Sequence, residues 1–150
     1  MRSITIFTAA MMLMLFSSTT FANECELSIS ATDAMQFDKK QLSVPASCKE
    51  VTLTLTHSGQ LPKSAMGHNW VLSTAGDMQA IANTGMAAGA GNSYVKPGDT
   101  RVIAHTDIIG GGESTSITFS ITDLDPKGDY RFFCSFPGHW AIMQGSFSIK

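Results

Sequence analysis

A thiol, an imidazole and a thioether occur within ten residues near the end of the chain. The segment reads Cys134, Ser135, Phe136, Pro137, Gly138, His139, Trp140, Ala141, Ile142 and Met143. The Cys, His and Met side chains are soft or borderline metal donors. The Pro-Gly pair between Cys134 and His139 predicts a tight turn, which brings these two donors back towards each other. These residue types at this spacing predict a metal site.

The three donors match part of one known ligand set. Two nitrogens and a thiolate in a trigonal plane, with a long axial methionine sulfur, form the ligands of blue-copper electron-transfer sites. The second nitrogen has to come from upstream, where the chain has three histidines, His57, His68 and His105. A lone His68 between Gly67 and Asn69 would more often be a structural residue than a ligand.

Two motifs taken together resemble the cupredoxins, the type 1 blue-copper family, and within it the azurin branch. The first motif is Met66-Gly67-His68-Asn69-Trp70-Val71-Leu72, and the second is the segment from Cys134 to His139. The resemblance extends from about Cys25 to the last residue. It implies one copper ion cycling between Cu(I) and Cu(II), with His68, Cys134 and His139 as its three planar ligands.

The resemblance also implies roles for residues around these ligands. Met143, which would usually fill a core, becomes the weak axial donor. Gly67 places its carbonyl on the opposite side of the metal, where the lack of a Cβ allows close approach. Asn69 and Phe136 are expected beside the ligands, with Asn69 bracing the two ligand loops by hydrogen bonds. His57 is expected to couple its protonation to the copper potential.

An apolar surface around His139 follows from the same resemblance, and we call it the partner patch. Its members are Leu61, Met66, Met86, Pro137, Ala141 and Ile142, with Met35 and Phe136 expected nearby. For Met35 and Met86 a buried position is the alternative. A small uncharged patch suits weak, quickly dissociating redox encounters. The family implies a c-type cytochrome and a nitrite reductase or similar oxidoreductase as partners.

Other functions remain open on the residues alone. Cys134, His139 and Asn69 superficially offer the side chains of a cysteine hydrolase, which would leave Met143 and Gly67 without a role. Two His and one Cys also suit structural zinc, although such sites normally close with a fourth strong ligand. A copper store or chaperone is the remaining binding alternative. The expected function is electron transfer, without an enzymatic reaction.

The N-terminal segment predicts export. Residues 1–22 have a basic start, an apolar run and a small-residue end, which is typical of a secretory signal peptide cleaved after Ala22. The apolar run is shorter than the roughly 20 residues that a membrane span needs, so a retained anchor is the minor alternative. We therefore expect a single cupredoxin-like domain over residues 23–150, soluble and monomeric in the bacterial periplasm.

The charge of the chain limits the partners that we expect, and its cysteine count bears on the cellular compartment. Without residues 1–22, nine Lys and Arg stand against twelve Asp and Glu. No basic cluster is present, which argues against nucleic acid or an anionic membrane as partner. Three cysteines predict one pair, Cys25 with Cys48, worth about 3 kcal/mol by loop entropy. Cys134 is then the free thiol, and in an oxidising compartment it is best explained as a ligand.

The remaining pattern predicts an all-β, Greek-key sandwich with one short helical flap. Alternating apolar and polar residues predict strands at 25–30, 41–44, 51–57, 70–73, 101–105, 116–121, 129–133 and 147–149. The stretch Asp77 to Ala90 suggests the helix, with an interruption at Asn83, Thr84 and Gly85. Trp140 is expected to pack rather than to modify the surface around His139, and His105 is expected on the surface.

Overall fold

The computed structural model describes residues 24–150. The predicted signal peptide at 1–22 lies outside the described residues and stays a prediction. Within 24–150, no helix is long and apolar enough to cross a membrane. The strands are β1 (Glu26–Thr32), β2 (Gln36–Phe37), β3 (Gln41–Val44), β4 (Glu50–His57), β5 (Val71–Thr74), β6 (Ala104–His105), β7 (Ser114–Ser120), β8 (Tyr130–Phe133) and β9 (Gln144–Ile149). The helices are α1 (Lys63–Met66) and α2 (Met78–Ala88), followed by a 3-10 turn at Ala90–Asn92.

Two sheets form the sandwich, and the predicted all-β fold is confirmed. One sheet has the order β2-β1-β4-β7 and the other has the order β3-β9-β8-β5-β6. The pairs β1 with β4 and β3 with β9 are parallel, whereas the other pairs are antiparallel. The two parallel pairs show that the chain crosses between the sheets instead of forming successive hairpins.

The alternation in β4 shows how sequence specifies this architecture. Val51, Leu53 and Leu55 are buried, while the threonines between them face outwards. Two of these threonines meet hydroxyls on β7, Thr52 with Thr118 and Thr54 with Ser116, each at 2.9 Å. One face of the strand therefore packs in the core, and the other gains cross-strand hydrogen bonds.

The predicted disulfide is confirmed. Cys25 and Cys48 are bonded, with 5.8 Å between their Cα atoms, and link the start of β1 to the turn before β4. Cys134 is a free, buried cysteine. The free thiol therefore lies at the C-terminal end of β8, directly after Phe133.

The helical region differs from the prediction in one respect. Helix α2 is continuous from Met78 to Ala88, so the predicted interruption at Asn83 to Gly85 is wrong. Thr84 turns its hydroxyl back onto the carbonyl of Ala80 at 3.0 Å. Gly85 is buried where a Cβ would overlap the carbonyl oxygen of Tyr94. The glycine serves close packing here rather than ending the helix.

The bounds of other secondary-structure elements also differ from those predicted. The short elements β2 and α1 were not predicted, and both are too short to show a periodic pattern. The expected strand at 101–105 is reduced to Ala104–His105. Arg101 instead belongs to a turn, where its guanidinium pairs with Asp99 at 2.6 Å.

Replacing Gly85 with Ala tests the contact between α2 and Tyr94. In an open helix the change would stabilise the fold by about 0.5–1 kcal/mol. Here the added Cβ has to displace backbone, so we expect the free energy of unfolding to fall by about 1–3 kcal/mol, as in other overpacked sites. Denaturant unfolding measures it. Gly76→Ala is the control, because a Cβ at Gly76 meets nothing within 4 Å, and equal stability of the two variants would contradict the contact.

Candidate metal centre

Three donor atoms from distant parts of the chain meet at one end of the sandwich. The sulfur of Cys134 lies 3.8 Å from Nδ1 of His68 and 3.6 Å from Nδ1 of His139. All three donor atoms lie within 4.8 Å of one another, and all three residues are buried. Among residues 24–150, no other group of three or more His, Cys, Asp or Glu side chains is this close. The structure therefore brings together the three donors that the family resemblance implies as metal ligands.

The loop after β8 folds back as its Pro-Gly pair predicts. The N–H of His139 donates to the carbonyl of Phe136 at 3.0 Å, and Gly138 has φ of 84°. Further on, the N–H of Met143 donates to the carbonyl of His139 at 2.8 Å. The N–H of Cys134 donates to the carbonyl of Met143 at 3.0 Å, which closes the loop. A positive φ is readily adopted by glycine, so Gly138 permits the turn.

His68 is held by both its backbone and its ring. It exchanges backbone hydrogen bonds with Ile109, at 2.9 and 2.8 Å. Its Nε2 lies 2.9 Å from the carbonyl oxygen of Thr32. Because a carbonyl can only accept, Nε2 must carry the proton, which leaves the lone pair of Nδ1 directed at the site. Thr32 was not predicted from the sequence, since a backbone carbonyl has no residue-type signal.

The site holds its donors uncharged. Burial lowers the pKa of His68 to about 4 and also lowers the pKa of His139. Burial raises the pKa of the Cys134 thiol to about 12, while the backbone N–H groups of Asn69 and Phe136 act in the opposite direction. At pH 7 the metal-free site thus presents two neutral imidazoles and a protonated thiol.

Asn69 joins the two ligand loops. Its Nδ2 donates to the carbonyl of Ser93 at 2.7 Å and to the hydroxyl of Ser135 at 2.8 Å. Its Oδ1 accepts the N–H of Ser135 at 2.9 Å. Ser135 follows Cys134 and Asn69 follows His68, so these bonds fix the spacing of two donors. Ser93, which has φ of 53°, was missed because a loop serine carries no distinctive sequence signal.

Two further predicted ligands lie nearby. The carbonyl oxygen of Gly67 is 3.9 Å from the sulfur of Cys134. A Cβ on Gly67 would overlap the carbonyl of Lys63 and the side chain of Ile108. The glycine is thus needed for packing as well as for approach to the site. Met143 is fully buried at the end of the loop.

The remaining histidines differ in their relation to the site. The ring of His57 stacks on that of His68, with centroids 4.5 Å apart. Its Nε2 donates to the carbonyl of Met66 at 3.0 Å, and its Nδ1 accepts the N–H of Gly59 at 3.0 Å. The coupling of His57 protonation to the copper potential stays a prediction. His105 is partly buried in β6 instead of fully exposed.

The partner patch is largely exposed. Leu61, Met86 and Ile142 are 42%, 51% and 59% exposed, and Pro137 and Ala141 are exposed as well. Met66, Met35 and Phe136 are half-buried. The alternative of a buried position therefore holds in part for Met35, and it does not hold for the exposed Met86. The ring of Phe136 lies 4.5 Å from that of His139, centroid to centroid. Apolar side chains are thus exposed close to a buried ligand.

The types of donor atom in the site indicate which metal ions it can bind. An imidazole pair with a thiol suits copper or zinc, whereas magnesium and calcium prefer oxygen ligands. No carboxylate belongs to the cluster in the described chain. Met143, whose carbonyl accepts the N–H of Cys134, is buried next to the cluster, and a thioether is a soft donor that suits copper better than zinc. The residues present therefore fit a copper ion.

The chain is similar to known copper proteins along its described length. Residues 23–150 match the family model of copper-binding proteins of the plastocyanin/azurin family. Azurin from Bordetella pertussis is 54% identical over 134 residues, which cover 89% of each chain. Azurin from Pseudomonas fluorescens biotype C is 54% identical over 127 residues, covering 85% of this chain and 99% of that one.

A solved structure is similar as well. It is the azurin Az-iso2 from the obligate methylotroph Methylomonas sp. strain J, studied for the significance of its flexible loop. The TM-score is 0.81 at 46% identity, with 84% of this chain and 98% of that chain covered. The likeness thus covers the fold as well as the sequence.

Proton release on metal binding tests the electrostatics of the site. With the thiol pKa near 12 and the His68 pKa near 4, binding of Cu²⁺ at pH 7 should release about one proton, from Cys134 and not from the imidazoles. The apparent affinity should rise about tenfold per pH unit near neutrality, and more steeply below about pH 4, where His68 is protonated too. A pH indicator in weakly buffered solution counts the protons.

Cys134→Ser is the control for this measurement, because a serine hydroxyl keeps its proton when a metal binds nearby. Release of two protons at pH 7 by the parent protein would show that an imidazole is charged in the metal-free site. Equal release by the parent and by Cys134→Ser would show that the thiol is not the source.

Proposed function

The chain belongs to the plastocyanin/azurin family of copper-binding proteins, and we propose that its copper ion is bound by His68, Cys134 and His139. The protein is a blue-copper electron-transfer protein and not an enzyme. The position of the Cys134 sulfur, within 4 Å of both Nδ1 atoms in a buried site, is the observation that supports these ligands. Met143 and the carbonyl of Gly67, which lies 3.9 Å from the Cys134 sulfur, are proposed as further and weaker donors that would supply a soft sulfur and an oxygen.

The residues of this chain supply orientation and exclusion of water. When bound, copper supplies a one-electron couple between Cu(II) and Cu(I). Thr32 fixes the ring of His68, and Asn69 fixes the distance between the loops of His68 and Cys134. Donors held in this way would keep nearly the same positions in both oxidation states of the metal. Small rearrangement on electron transfer favours fast exchange.

The alternative of a cysteine hydrolase lacks support in these contacts. A hydrolase needs its thiol to reach a substrate, whereas Cys134 is fully buried with a raised pKa. The side chain of Asn69 bonds to Ser93 and Ser135 and so is not available to orient His139. The Cys, His and Asn therefore do not form a nucleophile, a base and an orienting group.

Export and partners complete the proposal. We propose that residues 1–22 are removed as a signal peptide and that residues 23–150 act as a monomer in the periplasm. The Cys25–Cys48 disulfide supports an oxidising compartment. Redox proteins exchange electrons with members of this family, and we propose a c-type cytochrome and a nitrite reductase or similar oxidoreductase here. Exposed apolar side chains around His139 support docking at the partner patch.

Replacement of the thiolate tests the copper assignment. Cys134→Ser should lose the intense visible absorption of the Cu(II) protein even if copper still binds, because a hydroxyl supplies no sulfur charge-transfer donor. Met143→Gln is the matched control: it should stay coloured, with a lower reduction potential, since an oxygen axial donor favours Cu(II). Absorption spectra and redox titration measure both. A blue Cys134→Ser protein, or an unchanged potential in Met143→Gln, would contradict the corresponding ligand.

A charge on the partner patch tests docking. Met66→Lys adds a cation beside the site without changing a ligand, so the spectrum should stay nearly unchanged. Self-exchange between two molecules should slow because like charges repel and the ammonium must be desolvated. Ser47→Lys adds the same charge at an exposed position beside Cys48. If Met66→Lys and Ser47→Lys exchange electrons equally fast at low and high salt, docking occurs elsewhere.

A further inference from the structure

Trp140, directly after His139, packs on the helical side of the five-stranded sheet. It contacts a hydrophobic cluster that is separate from the core between the sheets, and we call it the flap cluster. Its buried members are Val71, Ile81, Ala82, Val95 and Phe133, and its partly buried members are Met78, Val102 and Trp140. Val71 and Phe133 are cross-strand partners on β5 and β8. Ile81 and Ala82 belong to α2, so this cluster joins the helix to the sheet.

The loop that contains Cys134 and His139 enters the flap cluster on both sides. Phe133 immediately precedes Cys134 and is fully buried there. Trp140 immediately follows His139 and is half-buried there. The two side chains therefore attach the residues next to two proposed ligands to the same cluster, which includes two side chains of α2. Aromatic side chains bury a large apolar area, so each is a strong point of attachment.

After His139, attachment of the loop to the flap cluster depends on Trp140, because most of the nearby loop residues face solvent. Pro137, Gly138, Ala141 and Ile142 are all exposed, and Ile142 is 59% exposed. The hydrogen bonds from His139 to Phe136 and from Met143 to His139 lie within the loop itself. Such bonds preserve the shape of the turn but do not fix its position relative to α2. Phe136 and Met143 attach this loop to the core between the sheets, whereas Trp140 attaches it to the flap cluster.

We propose that Trp140 is a positioning residue for His139 and that α2 acts through it on the metal centre. Packing of the indole against the flap cluster fixes the backbone that follows His139, and so fixes the direction of Nδ1 towards the sulfur of Cys134. The inference rests on the proposed function in so far as the positioned group is a copper ligand. The packing itself is a property of the metal-free chain and is testable without copper.

Amide hydrogen exchange of the metal-free protein gives the first test. In Trp140→Ser, the N–H groups of Ile142 and Met143, which both donate to the His139 carbonyl, should exchange about tenfold faster or more, because the loop opens locally. Trp140→Phe retains an aromatic ring and should stay within about threefold of the parent. Amides of β4 should be unchanged in both variants. Parent-like protection of the loop in Trp140→Ser overturns the proposal.

Shortening a buried side chain of α2 tests whether the helix acts on the loop through Trp140. Ile81→Ala removes a buried side chain of the flap cluster and should speed exchange at the same loop amides. In the Trp140→Ser background, Ile81→Ala should add little, because the attachment is already lost. Ile121→Ala is the matched control, since Ile121 is equally a buried isoleucine but belongs to the core between the sheets. Equal loop exchange in Ile81→Ala and Ile121→Ala would assign the effect to global stability.

The copper protein supplies a readout that separates positioning from stability. Trp140→Ser and Ile81→Ala should both change the electron paramagnetic resonance spectrum of Cu(II) and speed copper removal by a chelator, whereas Trp140→Phe and Ile121→Ala should resemble the parent. Faster loop exchange with parent-like copper spectra would overturn the positioning of His139. If the parent gives no blue copper spectrum, the proposed function fails, whereas the exchange test still decides whether Trp140 attaches the loop to α2.

Discussion

Burial of three metal donors in one cluster is the constraint on which the rest of the structure depends. A buried thiol and two buried imidazoles are stable only as neutral groups, because desolvation opposes charge on each. The donors are then held by hydrogen bonds that need no ionic partner, such as that from His68 to the carbonyl of Thr32. Binding of a metal at a site of this kind would displace the proton of the thiol.

The sandwich makes this arrangement possible because its strands support the site, while the segments just outside the strands carry the donor side chains. Strands β5 and β8 pair side by side, and each adjoins a proposed ligand: His68 lies just before β5 and Cys134 just after β8. The register of one strand pair therefore fixes the distance between two donors. The two hydrogen bonds between Asn69 and Ser135 fix the same distance outside the sheet. Two independent constraints on the same spacing reduce the conformational freedom that a metal would otherwise have to restrict.

Features with a repeating or residue-specific signal could be predicted from the sequence. The alternation in β4, the Pro-Gly turn before His139 and the Cys25–Cys48 pair each have such a signal. The roles of Thr32 and Ser93 could not be predicted, because each acts through a backbone carbonyl that any residue possesses. The continuity of α2 was missed for a related reason. A glycine that lowers helix propensity locally is retained where a distant carbonyl leaves no room for a Cβ.

Exposure around His139 follows from the same geometry that buries its ring. The turn places Pro137, Ala141 and Ile142 at the surface while the imidazole lies against Phe136 and the ring of His68. His139 is 4% exposed and has exposed apolar side chains beside it, so in the proposed function an electron would cross a short distance between this proposed ligand and the surface. Hydrogen bonds within the loop preserve its shape but not its position on the sandwich. Its position depends on the side chains that pack outside the turn: Phe136 and Met143 against the core between the sheets, and Trp140 against the cluster that joins α2 to β5 and β8.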